Sequence, residues 1–414
     1  MSPRRPRTPS LLIVGLSFVV VACASGESSR GAGGETSPPA PETPPREETV
    51  HDLELEELHA AAEHMDVWAT GLAAALVEPV DPAGEPHDTA AEFATQLDFL
   101  LRHYVVLLGF AGQATVEEQH DALRAAEHAL TGVGDELRVL FVEHFDSEVG
   151  LRFEEDWSSH TGSLLVISEA IATDVDSARE TAQEEIERAD ATLADLLEDI
   201  TGGAADPEAI VPALEEHVAT VTAVFETQAE EEDWYADLLT ALEKAAELAA
   251  EVAEPVAETA ELAGDVTSEA STLRVELSGR MVDSAFLIGA MTRARLADRS
   301  EDFEHAHAVV DENAQLLGET TAAQLGEAAG VRLEELWIRH VDDFIAYAEA
   351  VRSEDQPAQE QAMESLADWA AELGELLEQA TGGVVDATAQ EHEAAQHVDT
   401  IRRVIETQAR ALSG

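Results

Sequence analysis

The stretch LADLLEDITGG at 193–203 returns as LGELLEQATGG at 373–383, with seven of eleven positions identical and the numbering shifted by 180. Working outward, Arg152, Glu154, Glu155, Trp157 and His160 recur as Arg332, Glu334, Glu335, Trp337 and His340. His217-Val218 recurs as His397-Val398, and Glu226-Thr227-Gln228-Ala229 as Glu406-Thr407-Gln408-Ala409. Gly109 falls on Gly289 and Asp121 on Glu301. No gap is needed from about 101 to 230, so a domain has been duplicated rather than a composition repeated by chance.

The pattern inside each copy is helical. Alanine, leucine and glutamate dominate, and no segment sustains period-two alternation. Leu333, Trp337, Val341, Phe344, Ala348 and Val351 keep the three-to-four spacing of an amphipathic helix. Gly202-Gly203 and Gly382-Gly383 stop one helix in each copy, and Asp206-Pro207 starts the next, with Asp386 at the matching cap. The first copy divides into helices near 88–114, 117–131, 135–172, 175–200 and 207–230. The fold class that follows is all-α: two tandem up-and-down bundles of about five helices, each with a preceding helix. Those preceding helices fall at about 51–77 and, in an acidic segment interrupted at Pro255, at about 233–262. Each is expected to pack on the bundle that follows it. The alternative for the second is a solvent-exposed rod.

The N-terminus reads as an export and anchoring signal. Arg4, Arg5 and Arg7 precede the apolar run LLIVGLSFVVVA at 11–22, which is shorter than the roughly 20 residues that span a bilayer. The run ends in Val20-Val21-Ala22-Cys23, which resembles the lipobox of bacterial lipoproteins, in which the chain is cut before the cysteine and lipid is attached to it. Cys23 is the only cysteine. Residues 24–50 are rich in Ser, Gly, Pro, Glu and Thr and read as a tether. The expected organisation is a signal peptide at 1–22, lipidated Cys23 with its tether to 50, a first copy at 51–230 and an acidic helix plus second copy at 231–414. No later membrane span is expected, so the predicted location is outside the cytoplasm on a lipid anchor.

Charge narrows the partners. Lysine plus arginine number 23 against 86 acidic residues, which gives 23 − 86 = −63. Such a field repels nucleic acid and bare anionic lipid. It suits a salty medium, the collection of cations, or docking to a basic protein.

The repeat also selects histidines. His103, His160 and His217 are evenly spaced along the first copy, and Asp283, His340 and His397 stand in the matching places of the second. They fall on the first, third and fifth helices of each copy, so equal spacing can bring them to one height. A three-His set and a two-His-one-carboxylate set both suit zinc, copper or iron. The alternatives are haem or another ligand, or histidines that are simply packed and hydrogen-bonded. Glu56/His59, Glu117/His120 and Glu304/His307 have the Glu-x-x-His spacing of di-iron bundles but do not recur in the other copy. His392 and His397 are five apart, so they do not form the zincin pair. The sequence contains no Gly-rich phosphate loop, nucleophile elbow, calcium loop or C-x-x-C-H haem motif.

Ala285-Phe286-Leu287-Ile288-Gly289, Leu336-Trp337-Ile338-Arg339-His340 and the helix around His397 resemble a group of bacterial helical-bundle lipoproteins with tandem domains. The resemblance implies a surface-anchored helical module. Some relatives carry a copper amine oxidase label, which implies an Asn-Tyr-Asp/Glu site. The tyrosines here, Tyr104, Tyr235 and Tyr347, lie in other contexts, so that activity is not expected. The expected function is a non-catalytic binding or accessory module, with a transition metal inside each bundle. A purely structural or protein-interaction lipoprotein is the competing class, and a redox or metalloenzyme domain the third.

Overall fold

The computed structural model describes residues 49–80 and 88–413. The expected signal peptide at 1–22, Cys23 and all but the end of the expected tether lie outside the described residues. Residues 48–414 form one compact unit. The described residues are all-α, in twelve helices: α1 Val50–Val80, α2 Thr89–Val116, α3 His120–His144, α4 Ser147–Thr173, α5 Asp176–Ile200 and α6 Pro207–Ala229, then α7 Tyr235–Thr259, α8 Glu269–Leu296, α9 Ser300–Leu325, α10 Glu327–Arg352, α11 Gln356–Ala380 and α12 Ala387–Ser413. The offset of the repeat lays α1–α6 on α7–α12, so each copy has six helices and the preceding helix belongs to the repeat.

The repeated block at 193–203 ends in a turn held by its own polar atoms. Gly203 N–H reaches back to Glu198 C=O at 2.8 Å, and Gly383 to Glu378 at the same distance. All four glycines have positive φ: 61° and 90° at Gly202 and Gly203, 64° and 88° at Gly382 and Gly383. A side chain there would be strained, which accounts for the glycine pair being kept in both copies. Thr201 Oγ1 then accepts from Ala205 N–H at 2.9 Å, and Thr381 Oγ1 from Val385 N–H at 3.1 Å. Asp206 and Asp386 cap the helices that follow.

Two boundaries differ from expectation. Gly132 and Gly134 do not end a helix: α3 runs on to His144, because a glycine costs only about 1 kcal/mol in a helix and Leu130, Val133, Leu137 and Leu140 keep the buried stripe going. The break falls at Asp146, whose Oδ1 accepts from Glu148 and Val149 N–H. Likewise α7 continues through Pro255 to Thr259, and it is no solvent-exposed rod, since Leu238, Leu242, Leu248, Val252 and Val256 are buried.

The larger correction concerns which bundle each first helix joins. α1 packs on α8 and α12 of the second copy, whereas α7 packs on α2 and α6 of the first. Each copy is therefore completed by the other copy's first helix. The reciprocity is visible at one glycine pair. A Cβ on Gly289 would lie 2.6 Å from Leu58 Cδ1 in α1, and one on Gly109 would lie 3.5 Å from Leu238 Cδ1 in α7. Leu58 and Leu238 are themselves matched positions of the repeat. α1 is fixed in place by Leu58, Met65, Trp68, Leu72 and Leu76, each contributing about 1.5–3 kcal/mol of transfer free energy before ordering entropy is charged. Polar contacts set its register: Trp68 Nε1 donates to Gln390 Oε1 at 2.7 Å, and Arg293 pairs with buried Glu54.

α2 and α8 touch each other at the centre of the unit. α2 is long and apolar enough to cross a bilayer, with a window of mean hydropathy 1.3, but 78% of that window is buried inside the protein. Because α2 and α8 are covered on nearly every side, their polar residues face neighbouring helices rather than water.

Candidate functional site

In the first copy α4 and α6 bring His160 and His217 together, with ring centroids 5.7 Å apart and planes 19° from parallel. Trp157, one turn before His160, stacks on it at 5.1 Å. His160 Nδ1 donates to Asp190 Oδ1 of α5 at 2.6 Å, and both residues are buried. That bond places a proton on Nδ1 and sets the orientation of the ring. Neither His160 Nε2 nor either nitrogen of His217 has a protein partner among the described residues. Burial, with the nearby His160, lowers the pKa of His217 to about 3, so it is neutral at ordinary pH.

The second copy keeps the pair and changes its surroundings. His340 and His397 lie 5.6 Å apart. His340 Nδ1 donates to the Trp337 carbonyl, and its ring stacks on Trp369 at 4.4 Å. Asp190 is matched by Ala370, and Ala189 by Trp369, so an aromatic face replaces a carboxylate. Trp68, arriving from α1, closes this cluster against Trp337 and His397 at 6.3 Å each. Burial lowers His340 to about 3 and, with His340 and His64 beside it, holds His397 well below 6.5.

The third position of each expected ligand set is elsewhere. His103 faces α1, not the His160–His217 pair. Tyr104 takes the expected place, 5.9 Å from His217 and 6.3 Å from His160, with its hydroxyl donating to Thr161 Oγ1 at 3.1 Å. Adjacent helical residues point about 100° apart, so a shift of one position moves a side chain to another neighbour. In the second copy Asp283 accepts from Arg102 Nη1 at 2.6 Å, and Ser284, the match of Tyr104, accepts from Trp337 Nε1 at 2.7 Å. The sets His103/His160/His217 and Asp283/His340/His397 therefore do not assemble. Among the described residues no three of His, Cys, Asp or Glu form a ready metal shell.

Asp283 belongs to a buried charge cluster that joins the copies. Arg102 donates through Nε to Asp98 Oδ2 at 2.8 Å and through Nη1 to Asp283. Burial opposes the Arg102 charge, but the two carboxylates outweigh it and raise the pKa of Arg102. Burial also pushes Asp283 up, with Arg102 and Arg280 offsetting part of the rise. Gly279 makes the room, since a Cβ there would lie 2.7 Å from Arg102 Nη2.

His103 takes part in a different arrangement. Its Nδ1 lies 3.2 Å from Nδ1 of His59 in α1, and its ring stacks on Phe286 at 5.4 Å. The two imidazoles border a cavity of about 290 Å³ between α1 and α3, also lined by Glu56, His128 and Glu136. Burial and the neighbouring His59 hold His103 well below 6.5. The matching places between α7 and α9 hold Leu239, Asp283, Ala236, Ala308 and Leu316, so the second copy has no equivalent.

His59, His128, Asp98 and Asp190 are the residues that the repeat does not select. The reason is common to all four: none is found again at the matching place in the other copy. Their signal is that failure to recur, at positions where the fold itself repeats. No family model, curated protein or solved structure matches this chain.

Proposed function

We propose that the chain is a lipid-anchored, extracytoplasmic, non-catalytic binding module whose ligand, a transition-metal ion, enters the cavity between α1 and α3. The observation that carries this reading is the separation of His59 and His103. Two imidazole nitrogens bound to one tetrahedral ion at about 2.0–2.1 Å stand about 3.3 Å apart, and the two Nδ1 atoms are 3.2 Å apart. Without an ion, one ring donates a hydrogen bond to the other across the same distance. His128, Glu56 and Glu136 line the same cavity and are of the right donor types, but among the described residues no ready three-residue shell stands there, so they must turn toward an ion to join the pair. The dyad His160–Asp190, which has the residue types of a general base and its orienting carboxylate, is sealed in the core and meets no substrate. This supports binding over catalysis.

The test is metal analysis and titration of the purified full chain with zinc, copper and iron. About one equivalent of ion is expected, lost in His59→Ala and in His103→Ala but kept in His340→Ala. Absence of stoichiometric metal after loading would sink the metal reading and leave a structural or protein-interaction lipoprotein. Loss only on substitution of His340 or His397 would move the ligand to the second core. Release of the Cys23→Ser protein from the membrane fraction tests the anchor.

A further inference from the structure

We propose that a second cavity, between α2, α7 and the start of α8, binds an organic cation, a guanidinium or primary ammonium head on a short apolar stem, with Asp98 as its counter-ion. The cavity measures about 330 Å³. Alanines, Ala94, Ala249 and Ala253 among them, make up much of its apolar wall with Val275, and Glu251, Glu254 and Glu276 also line it. Asp98 lines it too and is 1% exposed. Only one Asp98 oxygen is used: Oδ2 takes Arg102 Nε, whereas Oδ1 accepts no hydrogen bond among the described residues.

The charge balance favours a further cation. Arg102 is shared between Asp98 and Asp283, so two buried carboxylates divide one guanidinium. Arg280 helps Asp283 electrostatically but also faces Glu243 at 3.8 Å. The Asp98 side of the cluster, next to the cavity, is left with spare acceptor capacity and negative charge, which a buried site does not hold without compensation.

The other copy shows what fills such a space. The match of Ala94 is Arg274, and Ala246 beside the cavity is matched by Asp66. Arg274 is buried, and Asp66 is foremost among the carboxylates that stabilise its charge. Ser278 stands where Asp98 stands and donates to Asp66. In the second copy, then, the chain supplies its own guanidinium and a carboxylate to meet it. In the first copy the carboxylate has moved one helix across, the arginine has become alanine, and the space is open. A cation from solution completes in the first copy what Arg274 completes in the second. The alanine walls suit the stem, the glutamates suit a second amine, and the net charge of −63 concentrates cations at the surface.

The experiment is calorimetric titration of the full chain with n-butylguanidinium, n-butylammonium and 1,4-diaminobutane, with n-butylurea as the uncharged control. Saturable binding of one cation, and none of the urea, is expected. Ala94→Arg places in the first cavity the side chain that the second already accommodates, so it should fold and abolish binding. Asp98→Asn should weaken binding roughly thirtyfold or more, the usual consequence of removing one member of a buried charge pair. Should Asp98→Asn fail to fold, Glu254→Gln reads the same field with a smaller loss. Absence of saturable binding by all three cations overturns the proposal, as does equal affinity in Ala94→Arg. Equal affinity for butylurea overturns it as well, because it would show a cavity that selects shape and not charge.

Discussion

Replacing Arg102 by methionine removes the one guanidinium that Asp98 and Asp283 share. The side chains of Arg102, Asp98 and Asp283 are 7%, 1% and 0% exposed, so water cannot take over its role. At an effective dielectric constant of about 20, each Arg–Asp contact contributes about 4 kcal/mol of gross attraction. The repulsion between the carboxylates and the desolvation of all three groups offset most of it. What remains in Arg102→Met is two buried carboxylates that have lost their shared ion-pair partner, and the expected loss is about 3–5 kcal/mol. That is about a fifth or more of the stability of an ordinary domain. Urea unfolding should show the midpoint falling at nearly constant m.

An internal comparison separates charge from packing. The places matching Asp98, Arg102 and Asp283 hold Ser278, Val282 and His103, so the fold tolerates this junction without an ionised triad. Asp98→Ser, Arg102→Met and Asp283→Leu together should therefore recover most of what Arg102→Met alone loses. The pH dependence gives a second check. Burial already raises Asp283, and without Arg102 it rises further. A carboxyl whose folded pKa exceeds its unfolded value binds more protons when folded, so the single variant should regain stability as pH falls and lose it as pH rises. A loss below about 1 kcal/mol in the single variant, or no recovery in the triple, would refute the reading of an ionised, mutually dependent cluster.

Trp68→Ala should cost about 3–5 kcal/mol through the cavity left and the orphaned Gln390 amide. Hydrogen exchange should report the loosening in α8 and α12, and loosening confined to α2–α6 would show that α1 does not cross between copies. Acid should unfold the protein through its buried histidines. His103, His217, His340 and His397 are all held below 6.5, so the unfolded chain binds more protons than the folded one once pH drops below about 6.5. Each contributes a slope of about 1.4 kcal/mol per pH unit, stability present above that pH and lost below it. The His217→Phe protein should unfold with a shallower acid slope in urea titrations between about pH 6 and pH 4, and an unchanged slope would show that His217 is reached by protons in the native state.

How much of this is legible in the sequence follows from what a repeat can encode. The Thr-Gly-Gly turn, the Asp caps and the shared Trp and His positions depend on local backbone chemistry or on one helix face, so the sequence displays them. The exchange of α1 and α7 does not appear, because the stripe Leu58, Met65, Trp68, Leu72 and Leu76 has the same period whichever bundle it meets. Even spacing misplaces His103 for a related reason. α2 is buried on nearly all sides, so no polar face sets its phase, and His103 and Tyr104 are equally good candidates until the neighbours are known. Arg102 and Asp283 are far apart in the chain and not repeat-equivalent, and only the packing of α2 on α8 brings them together.

A duplicated fold also inverts the usual weight given to recurrence. Positions kept in both copies, such as Thr201 and Thr381 or Gln228 and Gln408, make the same bond in each: both glutamines donate to the carbonyl of the matched glycine, at 2.9 and 2.8 Å. Those bonds build the scaffold. Where the copies differ, one of them folds without the residue in question, so folding alone does not require it. His59 against Leu239, Ala94 against Arg274, Asp98 against Ser278 and Asp190 against Ala370 are such places, and three of the four border a cavity. The fourth, Asp190, borders neither cavity. In the second copy Ala370 stands at the place of Asp190, and Trp369, one residue earlier, covers His340 instead. The unit of comparison is therefore the set of side chains filling one space. On that measure the side chains lining the α1–α3 and α2–α7–α8 cavities are exchanged for others at the matching places, so a ligand site in either cavity is particular to the first copy.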